Sequence, residues 1–142
     1  MKNSALILIS ILALACSDDE TTYSVTPELD TYVTSFFTEG EQRGKTIPKT
    51  NLIVHLNSEC QAITQVKQEA GQWILEFDKE AFEAMSAQGN PNNKIESFLF
   101  HELGRIVLKR ELSDGHSIMN GDIKVNGFSD DEREELLNEL FK

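Results

Sequence analysis

Phe98-Leu99-Phe100-His101-Glu102-Leu103-Gly104-Arg105 is the stretch on which the fold turns. Ile95, Phe98, Leu99, Ile106 and Val107 recur at helical spacing, and Phe100, Leu103 and Leu108 widen the stripe. A helix apolar over so much of its circumference is buried between layers, and the pattern predicts one from about residue 93 to residue 110. His101, Glu102 and Arg105 are the polar exceptions. Buried polar groups need partners, so polar residues at i, i+1 and i+4 mark a polar pocket inside the domain.

The flanking sequence supplies what this helix packs against. Thr26 is a good N-cap and Pro27 suits the first helical position. Leu29, Tyr32, Val33, Phe36 and Phe37 then mark one face of a helix reaching about Arg43, with Gly44 as its stop and Gly40 as an earlier alternative. Residues 51–56 are nearly all apolar, as in a central strand, and His55 within them is expected to be satisfied or edge-facing. Residues 62–68 and 72–78 read as a hairpin around Glu69-Ala70-Gly71. Residues 78–85 suit a short helix, and Gly89-Asn90-Pro91-Asn92-Asn93 marks a loop over 86–93. Residues 111–124 read as a further loop. Ser129-Asp130-Asp131-Glu132 is a capping box that opens a closing helix with Leu136, Leu137, Leu140 and Phe141 on its buried side. The architecture expected is α+β: a small sheet with packing helices, a central helix and a C-terminal closing helix.

His101-Glu102-Leu103-Gly104-Arg105, followed by Ser117-Ile118-Met119, resembles the metzincin-like zincins, and among them small bacterial lipoproteins of the zinc metallopeptidase type. The specific part covers residues 98–120, and the order of elements extends the likeness over 26–142. In that family the helix reads His-Glu-x-x-His. Its two histidines hold zinc from one face while the Glu activates water. A third ligand follows six residues later, and a Met-containing turn lies beneath the metal. The resemblance implies a zincin-like fold, with His101 and Glu111 at ligand positions, Glu102 at the general-base position and Met119 in the Met-turn. The second ligand position holds Arg105, whose guanidinium has no free lone pair and stays protonated. Leu108 stands where a glycine often turns the chain.

The N-terminus carries a separate signal. Lys2 precedes an apolar run over residues 5–14, too short to span a membrane and right for a signal-peptide core. Leu12-Ala13-Leu14-Ala15-Cys16 resembles a bacterial lipobox, with Ala13 where Leu is commonest. That resemblance implies a signal peptide over 1–15, cleavage before Cys16 and a multiply acylated Cys16 as membrane anchor. Ser17-Asp18-Asp19-Glu20 resembles a surface-export tag and also reads as a solvated tether, so residues 16–25 form a lipidated, acidic leash to the domain at 26–142. The expected location is the bacterial outer membrane, with surface exposure.

The 142-residue chain has a formal net charge of −11 and no basic run, which argues against nucleic acid as a partner. With Cys16 acylated, Cys60 has no thiol to pair with and is expected to be a small buried residue.

Three functions compete. The first is a catalytically degenerate zincin-like lipoprotein without a metal cofactor. Arg105 would pair Glu102 or Glu111 in place of the metal, and the cleft would bind a peptide or protein. A divalent ion within ~5 Å of that guanidinium would be repelled by several kcal/mol. The second is an active metallopeptidase whose zinc is held by a rearranged set, His101, Glu111 and His116. The third is a structural envelope lipoprotein in which the His-Glu pair is coincidental.

Overall fold

The computed structural model describes residues 22–142. The expected signal peptide over 1–15, Cys16 and the acidic cluster at 18–20 lie outside the described residues. Ten elements follow in order: β1 (Tyr23–Val25), α1 (Pro27–Gln42), β2 (Leu52–Asn57), β3 (Thr64–Glu69), β4 (Gln72–Asp78), α2 (Lys79–Ala87), a 3₁₀ turn (Pro91–Asn93), α3 (Lys94–Ile106), α4 (Gly121–Asn126) and α5 (Asp130–Leu140). The fold is α+β, as expected. No helix of the described residues is long and apolar enough to cross a membrane.

The sheet has the order β1-β2-β4-β3. β1, β2 and β4 run parallel, while β3 is an antiparallel edge strand. β2 is central, as its apolar run required. The hairpin turns at Ala70 and Gly71, both in the left-handed region (φ 48° and 80°), which suits a tight two-residue connection. Alternation splits the sheet into two faces. Leu52, Val54, Leu75 and Phe77 point inward and are buried against α1 and α3. On the outer face, Glu76 is buried to 5 % exposure by the side chains that hydrogen-bond to it. His55 donates at 3.2 Å, Asn57 at 3.0 Å and Lys67 at 2.8 Å, and Gln65 is a fourth donor. His55 is thus a satisfied histidine.

α1 buries Leu29, Val33, Phe36 and Phe37, and the Phe36 ring meets Phe100 of α3 edge-on and Phe141 at a tilt. Gly40 stays inside this helix because a Cβ there would come within 2.6 Å of Ile47 Cδ1. Gly44, at φ 77°, follows the helix end as expected. The capping box at Ser129 and Glu132 is present, and α5 buries Leu136, Leu137 and Leu140.

Four expectations need correction. The leash expected through residue 25 is a strand in its last part, because Tyr23, Ser24 and Val25 pair with the open edge of β2. The central helix stops at Ile106, not near residue 110: Lys109 turns the chain at φ 56° and the Arg110 amide reaches back to the Gly104 carbonyl. The loop expected over 111–124 runs into α4, whose start is capped by Asn120 accepting from the Asp122 amide. Cys60 is half-buried rather than buried. Burial raises its thiol pKa above the usual range, and the carboxylates of Glu76 and Asp78 add to the rise.

Candidate functional site

α3 passes behind the inner face of the sheet beside the edge strand β3, and α4 packs across it. A cleft opens where these three elements meet. One half, of about 620 Å³, is lined by Ile63, Phe98, His101, Met119, Leu112 and Val125 among others. The other, of about 610 Å³, is lined by Glu102, Lys109, Arg110, Trp73 and β3 residues. Thr64, Arg105 and Lys124 border both halves. The three polar positions thus line an open cleft rather than one enclosed pocket, His101 in one half, Glu102 in the other and Arg105 in both.

His101 is 3 % exposed. Its Nδ1 lies 2.9 Å from the carbonyl oxygen of Ile118 in the Ser117-Ile118-Met119 turn. A carbonyl only accepts, so Nδ1 carries the proton and Nε2 keeps its lone pair. Burial lowers the imidazole pKa, Lys124 and Arg105 push the same way, and the Ile118 bond and Glu102 oppose them. The turn is itself fixed: Ser117 Oγ accepts from the Met119 amide at 3.1 Å and donates to Glu139 of α5 at 2.5 Å. Met119 packs directly on α3, since a Cβ on Gly104 would meet its Sδ at 2.8 Å.

Glu102 is 2 % exposed and carries three donors. Arg105 reaches Oε2 at 3.0 Å, while Lys124 at 2.5 Å and the Thr64 hydroxyl at 3.1 Å share Oε1. Of the two partners foreseen for Arg105, the structure selects Glu102. Lys124 is the participant that sequence reasoning missed. It sits 22 residues away in a stretch read as loop, and only the presence of α4 brings it over α3.

The remaining candidates do not join this group. Glu111 is exposed and lines neither half of the cleft. His116 is exposed and lines a separate depression with Asp131, Glu135 and Glu139 at α5. Among the described residues no three His, Cys, Asp or Glu side chains come together as a metal-holding group. His101 alone has the form of a zinc ligand, with its second nitrogen held by a carbonyl. Arg105 and Lys124 both sit on Glu102, so beside His101 stand two cations in place of further donors. The residues present do not fit a zinc ion. Comparison with known proteins finds no matching family model, curated protein or solved structure.

Proposed function

We propose that this chain is a membrane-anchored, zincin-like lipoprotein, catalytically degenerate, whose cleft holds a peptide segment of another protein. The observation that carries the binding role is the position of Leu112 and Val125. They are the exposed large apolar side chains among the described residues, at 69 % and 54 %, and both rim the cleft half that has His101 in its wall. Single exposed apolar residues are ordinary, but two around one concave, partly apolar opening favour a docking partner. β3 adds an edge of unpaired backbone beside the same opening, which an extended peptide can extend as a further strand.

The zincin-like part is supported by the relation of His101 to the Ser117-Ile118-Met119 turn, with Met119 lodged against Gly104 beneath the histidine. The degenerate part is supported by the two cations on Glu102. Peptide selection tests the binding role. The full chain, presented with a random peptide display library, should enrich sequences containing a bulky apolar residue, and a Leu112→Asp/Val125→Asp variant should lose that enrichment. A parent protein that enriches no peptide would sink this reading.

A further inference from the structure

We infer that the basic half of the cleft is a carboxylate-binding subsite, so that the peptide taken up is acidic as well as apolar. This rests on the peptide-binding role proposed above and specifies its ligand. In a chain with 24 acidic and 13 basic residues, this depression is lined by Arg105, Lys109, Arg110 and Lys124, with Glu102 the only carboxylate in its wall. Two of those cations share Glu102. Arg110 is compensated by Glu139 of α5. Lys109 has no carboxylate partner among the described residues. Its ammonium donates to the Ile106 carbonyl at 2.6 Å and lies 4.8 Å from the Trp73 ring centroid. Two cations on one carboxylate, plus Lys109, leave a local positive excess facing an open depression.

The donors are also free in the right sense. Arg105 is 48 % exposed and its bond to Glu102 uses one terminal nitrogen, so the guanidinium keeps further N–H donors for a ligand. A guanidinium fork and a nearby ammonium match a carboxylate in geometry and charge. Lys109 is held in place by its left-handed backbone and by Trp73, which lowers the ordering cost of binding. The acidic surface elsewhere does not cancel this attraction, because screening at physiological salt limits it to about 8 Å. Since Thr64, Arg105 and Lys124 border both halves, one short segment can seat an apolar side chain by His101 and a carboxylate by Arg105 and Lys109.

The same library selection, run with the full chain, should return peptides in which Asp or Glu stands beside a bulky apolar residue. A synthetic Glu peptide from that set should bind roughly tenfold or more tighter than its Gln counterpart, measured by fluorescence anisotropy, and the difference should shrink with salt. Arg105→Gln and Lys109→Asn should each weaken the Glu peptide by a larger factor than the Gln peptide, so that the gap between the two peptides narrows. Asn tolerates the left-handed backbone at 109 and the change breaks no ion pair, so this variant decides the matter if Arg105→Gln does not fold. Enriched peptides without acidic preference, or equal binding of the Glu and Gln peptides, would overturn the carboxylate subsite and leave peptide binding standing. No enriched peptide at all would overturn both.

Discussion

Gly104 sits between Glu102 and Arg105 in position, yet its work is packing against Met119 and Leu140. A methyl there would approach Met119 Sδ to 2.8 Å and Leu140 Cδ1 to 3.0 Å. Gly104→Ala should therefore destabilise the protein by about 1–3 kcal/mol in urea denaturation. The cost should shrink in a Met119→Ala background, where the methyl has somewhere to go; equal costs in the two backgrounds would mean the contact is not the cause. Arg105→His paired with Lys124→Gln removes both cations and places two imidazoles one turn apart, the first with its Nδ1–H already held by Ile118. The double variant should take up zinc in competition with a chromogenic chelator, whereas the parent should not. Failure of a folded double variant to bind zinc would reduce the zincin likeness to a few shared letters.

Among the elements, the sheet holds the most distinctive acid. Glu76 on β4 has its pKa lowered to about 2. Burial opposes ionisation, but donors from Lys67, Gln65, His55 and Asn57 outweigh it. The folded state thus prefers the charged carboxylate more than the unfolded chain does. Its contribution to stability is full above the ordinary value of 4.5 and is lost as pH falls toward 2. Glu76→Gln should lower the urea midpoint at neutral pH and flatten its fall across that acid window. A parallel fall in parent and variant would assign acid sensitivity elsewhere. The elements also differ in how plainly the sequence announces them. α1, α3 and α5 follow from apolar spacing and caps, because each buries a whole face. β1 could not be read, since three residues become a strand only when β2 offers an edge. α4 is six residues, none of them buried, with no apolar face to betray it. The end of α3 was misjudged because the apolar spacing runs on through Leu108 while Lys109, not a glycine, makes the left-handed turn. Within the site, the sequence leaves Glu102 and Glu111 both open as partners of Arg105, and Lys124 requires a tertiary contact that no local pattern carries.

At the scale of the whole molecule, Arg133 ties three helices together. From α5 it grips both carboxylate oxygens of Glu96 on α3, at 2.6 Å for the closest contact, and reaches Glu39 on α1 at 2.9 Å. These partners raise its pKa further above an already high value. Arg133→Ala should cost about 1.5–3 kcal/mol by leaving Glu96 buried without its partner. A loss no larger than that of an exposed control such as Lys79→Ala would show the tie to be idle. Anchoring is checked independently: labelled fatty acid should enter the protein through Cys16, and Cys16→Ser should abolish the label and release the protein from the membrane fraction.

The order β1-β2-β4-β3 puts the first strand and the cleft-side strand at opposite edges of the sheet. A load applied at the N-terminus enters the domain through β1, where Tyr23, Ser24 and Val25 lie parallel to Leu52, Ile53 and Val54, flanked by the Leu52 amide on Thr22 and the Thr26 amide on Val54. Pulled along its own axis, that ladder is strained in shear, its bonds sharing the load instead of parting one by one. β2 and β4 then stand between the strained seam and β3, so a force entering at residue 22 meets the sheet at the edge opposite the cleft.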